Sequence, residues 1–266
     1  MRAFVIIAYA AFWTLILGLG GLASMVLHAP PRVMTAITVL CSWSPTIVLL
    51  VMMKRLKPGL SIREFYARAF SGRLRPGPIL LAPAMAFGAS ALAAMAVSFA
   101  EGARFVDRFI VDPAAFPKAL LLMVFLGPSG EESAWRGYLR PELEAKYGFL
   151  KGNIILGLVW AFWHTPLWLV SSDFRGWEGL VFAAANVIVL ASLTVLMGVF
   201  LKRNDNLLLA FWIHYCFNIS LIPQAGGIGF FVALSVVYLA AAAAAAAFHL
   251  GTDSRRPHSV GAAGPL

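Results

Sequence analysis

Charge is what this chain has least of. Only 12% of its 266 residues are Asp, Glu, Lys or Arg, about half the share a soluble domain carries. With 61% hydrophobic residues and a mean hydropathy of +0.82, a water-soluble globular domain is excluded, and the bilayer becomes the expected solvent. The short alternating segments of outer-membrane barrel strands are missing as well. Cysteine is scarce: Cys41 and Cys216 both lie inside apolar runs, so no disulfide framework can be argued. Acidic residues number 12 against 21 basic ones, a formal charge of +9. The basic side chains fall mostly in the connections between apolar runs rather than on one soluble domain. They read as a topology signal, and nucleic acid is not expected as a partner.

What is present is a series of apolar runs near the ~20 residues a helix needs to cross a bilayer. Eight are expected to span, at about 3–27, 33–53, 79–100, 116–139, 154–170, 180–201, 207–221 and 229–250. The fold class is therefore all-α, a polytopic membrane helical bundle forming one domain over 1–250, followed by a polar tail, 251–266, expected to be disordered and cytoplasmic. The first run follows Arg2, but it is longer than a signal-peptide core and lacks a clear small-x-small cleavage site. The eight consecutive alanines from Ala240 to Ala247 read as close helix packing. The chain does not end in a prenylation signal.

Orientation follows from the basic residues. With the N-terminus inside, sixteen of the 21 fall on the inner side and five (Arg32, Arg104, Arg108, Lys118 and Arg175) on the outer. This bias favours an even number of spans with both termini cytoplasmic, in a plasma membrane. The long inner connection 54–76 interleaves Leu60, Ile62, Phe65, Tyr66 and Phe70 with Arg63 and Arg68. Either a short amphipathic helix on the anionic leaflet or a solvated basic loop fits that pattern.

Against this background Glu131, Glu132 and Arg136 stand out at the end of an apolar run. Ionisable groups in a membrane are costly and mark functional sites by default. Glu132 and Arg136 are four apart and share a helix face, whereas Glu131 is rotated by about 100°. One carboxylate can be held by the arginine while the other is left for chemistry. His164 lies within the run "WAFWHTPLW", one turn after Trp160, and Pro166 can loosen the backbone there. His214 and Asn218 lie four apart in "LLLAFWIHYCFN" and together can donate to a developing oxyanion. Singly, these read as a charged helix end, a core histidine and polar glue between helices. Together they supply the acid, two imidazoles and an amide that activate water and stabilise a tetrahedral intermediate.

The order Glu131-Glu132-x-x-x-Arg136, then Trp160-x-x-x-His164, then His214-x-x-x-Asn218 resembles the CPBP family of intramembrane proteases. That family includes the type II CAAX prenyl endopeptidases and bacterial relatives linked to bacteriocin processing and immunity. The motif-bearing core is about 116–221, and Trp160 stands where the family often has phenylalanine. The resemblance implies hydrolysis of a peptide bond in a membrane cavity, with a membrane-associated or lipidated peptide or protein as the substrate. Glu131 would be the general base on water, His164 would help bind that water, and His214 and Asn218 would stabilise the oxyanion. Glu132 and Arg136 would hold the geometry, and Trp160 would line the site. No cofactor is expected. A zinc ion on Glu131, His164 and His214 is the open alternative, although an H-E-x-x-H motif is missing. A cavity joining these groups is expected to open to the cytoplasm or sideways to lipid. Two other functions compete: a non-catalytic immunity or scaffold protein of the same fold, and a proton-coupled transporter, against which the lack of an inverted repeat counts.

Overall fold

The computed structural model describes residues 1–110 and 112–254. It is an all-α bundle, and among the described residues only an isolated bridge between Phe109 and Gln224 has β geometry. Among the described residues, six helices are long and apolar enough to cross a membrane: Arg2–Val26, Pro31–Leu56, Pro76–Glu101, Phe149–Ser171, Gly176–Lys202 and Ile228–His249. Large apolar side chains such as Phe99, Val51 and Leu80 face outward. That surface is stable only against lipid, so the chain is an integral membrane protein.

The other two expected spans are not full-length helices. Leu207–Leu221 is apolar but only 15 residues long, about 22 Å at 1.5 Å per residue. The run 116–139 is broken. Helix Phe116–Phe125 ends in a tight turn at Leu126 (φ −82°, ψ 85°) and Gly127 (φ 109°), an inverse γ-turn followed by a conformation open to glycine alone. A short helix Pro128–Glu132 restarts the chain, widens into a π-helical segment Ser133–Leu139 and continues as Arg140–Tyr147. Such π segments recur at functional sites. Helix Ile228–Ser254 runs beyond residue 250, and 255–266 of the expected tail lie outside the described residues.

The connection 54–76 does form an amphipathic helix, Ile62–Ala69. Ser61 caps it: its hydroxyl accepts from the Glu64 backbone N–H, and the Glu64 carboxylate accepts from the Ser61 backbone N–H, a reciprocal capping box. Those hydrogen bonds, the backbone one foremost, hold the Glu64 carboxyl below its ordinary range. The helix is anchored from beneath. Phe65 is buried and reaches Gly137, and the Tyr66 hydroxyl lies 3.3 Å from the Ser133 hydroxyl.

The connections rich in basic residues meet at one end of the bundle. Lys57 pairs with Glu142, Arg140 with Asp205, and the Asn206 amide donates to the carbonyls of Phe70 and Gly72. At the opposite end the Ile110 N–H donates to the Pro223 carbonyl and the Ala225 N–H to that of Arg108. Between the two ends, aromatic packing ties the first helix to Phe149–Ser171. Phe12 stacks on Trp163 at 3.8 Å, Tyr9 donates to the Val159 carbonyl, and Trp13 donates to that of Trp163. Gly157 lets Phe149–Ser171 approach Gly176–Arg203, since a Cβ there would lie 2.6 Å from the Ala191 Cα. In the alanine run, Ala242 and Ala246 form the buried stripe.

Candidate active site

The break at Gly127 decides where the acids lie. By restarting the helix at Pro128, it carries Glu131 and Glu132 into the bundle interior, where their side chains are 3% and 0% exposed. Gly130 allows this by packing against Ser42, whose carbonyl would be 2.6 Å from an added Cβ. The two carboxylates then face different partners.

Glu132 belongs to an ion cluster. Its Oε1 accepts from Arg136 Nη1 at 2.9 Å and lies 2.7 Å from His214 Nδ1. The second Arg136 Nη donates to the Thr194 hydroxyl at 3.0 Å, and the guanidinium lies 4.0 Å over the Trp160 ring. Buried charges are tolerated when paired and hydrogen-bonded in this way. Thr194, on Gly176–Arg203, is the member that sequence reasoning missed. It is one hydroxyl in a long apolar run, and nothing in its spacing marks it.

Glu131 is held differently. The Trp160 indole N–H donates to its Oε2 at 2.5 Å, and His164 Nε2 lies 3.8 Å from the same oxygen. That second distance exceeds a direct hydrogen bond and is one a water can bridge. His164 Nδ1 lies 2.8 Å from the Trp160 carbonyl. A carbonyl only accepts, so Nδ1 carries a proton, and in the neutral ring Nε2 then turns a lone pair toward Glu131. The helix Phe149–Trp163 ends at His164 and resumes at Thr165, with Pro166 at its start, so the ring projects at an interruption in the helix. Trp160 thus fixes the acid with its side chain and the imidazole with its backbone.

His214 and Asn218 project from Leu207–Leu221 toward the same place. The Asn218 amide donates to the Leu126 carbonyl at 3.0 Å, pinning the turn. A Cβ on Gly127 would lie 2.9 Å from His214 Nε2 and 3.2 Å from the Asn218 amide nitrogen. Glu131, His164, His214 and Asn218 all line one cavity of about 420 Å³, with Gly127 in its wall. The structure therefore brings the four expected residues together, with Glu132, Arg136 and Trp160 directly behind them. Gly127 was missed as a site residue, although the "GPSG" sequence carried the signal of a helix break. For the zinc alternative, no group of three His, Cys, Asp or Glu side chains among the described residues is placed to hold a metal ion. The Glu131 oxygen facing His164 accepts an indole N–H, which leaves its Oε1 without that partner.

The chain is thus an all-α membrane bundle with a buried acid–imidazole–amide centre, and comparisons with known proteins say what it resembles. Residues 113–220 match the family model "Type II CAAX prenyl endopeptidase Rce1-like". A curated relative, "CAAX prenyl protease 2" of Methanococcus maripaludis, is 28% identical over 108 residues, covering 38% of this chain and 39% of the relative. The match thus spans well under half of that protein. Over 113–220 the chain is thus similar to the type II CAAX prenyl endopeptidases, in the stretch that carries the three motifs.

Proposed function

We propose that this protein is an intramembrane endopeptidase that uses Glu131 to activate water. The observation that carries the reading is the opposition of the Glu131 Oε2 and His164 Nε2 acceptors across 3.8 Å at the wall of the cavity. A water between two acceptors can donate one proton to each and keep its lone pairs for a carbonyl carbon. As the oxygen attacks, Glu131 takes the proton, and it later returns that proton to the departing amine nitrogen. The negative charge developing on the carbonyl oxygen falls to His214 and Asn218. The Asn218 amide has a second N–H beyond the one given to Leu126. His214 Nε2 donates when the ring carries both protons, with Glu132 as its counter-charge on the Nδ1 side. Arg136 and Thr194 keep Glu132 in place, and no metal step is needed.

The substrate is a membrane-associated or lipidated peptide or protein. The enzyme would sit in a plasma membrane, with the ends of the chain on the cytoplasmic side. The test is N-terminal proteomics of membranes from cells expressing the wild type or Glu131→Gln at matched levels. New N-termini should appear with the wild type and be missing with the variant. Retained cleavage by the variant would overturn the assignment. An unchanged biological effect with no cleavage by either form would favour a scaffold role.

A further inference from the structure

A cavity of about 460 Å³ lies at the basic end of the bundle, bounded on one side by the amphipathic helix Ile62–Ala69. It shares no lining residue with the cavity that holds Glu131 and His164. Four cationic side chains reach its wall, Lys57, Arg68, Arg136 and Arg140, against one carboxylate, Asp205. Like charges gathered in this way repel, so each needs compensation. That compensation is uneven. Arg136 is paired with Glu132 in the buried ion cluster. Lys57 is paired with Glu142, and Arg140 with Asp205 and, at 3.5 Å, with Glu144. The Asp205 side chain is 79% exposed, and an ion pair so open to water is weak. Arg68 has Glu64 one turn away on its own helix, but that carboxylate is committed to the Ser61 cap. Among the described residues no ion pair holds the Arg68 guanidinium. Arg136 and Arg140 are 2% and 6% exposed, and each keeps a buried Nε–H without a hydrogen-bond partner. The wall thus offers more donors than its acceptors use.

We propose that this cavity binds a phosphate ester of net negative charge, the chemistry shared by an anionic phospholipid headgroup and a soluble phosphate ester. Arginine forks engage phosphate oxygens two at a time. A phosphate beside Arg68 and Arg140 displaces only the exposed Asp205 carboxylate. A zwitterionic headgroup would bring its own ammonium against the same cations. The position favours the lipid source. The charge bias puts this end at the inner leaflet, where anionic lipids concentrate, and the bounding helix exposes Ile62, with Phe70 exposed at its end. Occupancy bears on the site through contacts already in place. Arg136 is common to the cavity wall and to the Glu132 pair, and the Tyr66 hydroxyl reaches Ser133, the neighbour of Glu132. Binding does not depend on the protease reading; only its consequence for cleavage does.

The experiment is thermal unfolding of the purified full chain in neutral detergent, followed with a thiol-reactive dye that reports exposure of the buried Cys41 and Cys216. Short-chain phosphatidylglycerol should raise the midpoint along a saturable curve, and phosphatidylcholine of the same chain length should not. Arg68→Gln should weaken the apparent affinity at least about fivefold. Asp205→Asn, which removes the competing acid, should tighten it by about two- to fivefold. Both side chains are exposed, so these variants should start from the wild-type midpoint. Glycerol 3-phosphate separates the two sources. If it gives the same curve, the ester alone suffices and the ligand is soluble; if only phosphatidylglycerol does, the ligand is the lipid. No saturable shift with either, an equal shift with phosphatidylcholine, or a shift that neither substitution alters would overturn the site.

Discussion

Trp160 donates its indole N–H to the Glu131 carboxylate at 2.5 Å while its own carbonyl lies 2.8 Å from His164 Nδ1. A single residue thereby sets the direction of the proposed base and the tautomer of its imidazole partner. Trp160→Phe separates these roles. It keeps the carbonyl and an aromatic ring beneath Arg136, and removes the N–H together with part of the buried ring volume. A hydrogen bond to a charged group is worth about 1.5–3 kcal/mol, so cleavage should fall about ten- to a hundred-fold. Single-turnover kinetics with a fluorescent membrane peptide would measure this, and expression should hold.

Gly127→Ala places a methyl group against His214 Nε2 and forces a non-glycine residue to φ 109°. The backbone penalty alone is about 1–2 kcal/mol. Cleavage should drop at least about tenfold, and the thermal midpoint in detergent should fall. An alanine variant with wild-type activity would show that the turn is not held as described.

Thr194→Val removes the acceptor for Arg136 Nη2 without changing shape. Leaving a buried donor unpaired costs about 1–3 kcal/mol. Thermal unfolding should register that loss, with a lower kcat at little changed KM. Thr194→Ser should restore both, because it returns the hydroxyl. A merely volumetric role would show the opposite order.

Ser61→Ala breaks the cap on the amphipathic helix Ile62–Ala69. The loss of an N-cap is worth about 1 kcal/mol, and hydrogen exchange over 62–69 should quicken. The same fraying should follow acidification in the wild type. The Glu64 carboxyl is held below its ordinary range, so its contribution is present above that range. The contribution is lost as pH falls through the depressed value. Exchange measured from above the ordinary carboxylate range down through the depressed value checks the sign.

Several elements were legible in the linear chain because their cause is local. Helix Leu207–Leu221 has the bounds its apolar run suggests, and the apolar stripe of the basic linker allowed the amphipathic helix as one of two readings. Spacing four apart placed Glu132 with Arg136 correctly, since that pair forms on one helix. The run 116–139 was misread as one span because hydropathy averages over a glycine whose effect is angular: at Gly127 the chain turns without becoming polar. The pairing of His214 with Glu132, rather than with Asn218 alone, had no local signature.

By itself the sequence determined the solvent, the two polar ends of the bundle and the small set of side chains too costly to bury without purpose. Those follow from composition and from the period of a helix. Only the tertiary structure decided which imidazole meets which carboxylate, that Thr194 holds the arginine, and that Arg136 belongs both to the ion cluster and to the wall of a second cavity. Each of these depends on the relative rotation and depth of separate helices. Contacts distant along the chain set those quantities, and no local pattern of residues encodes them.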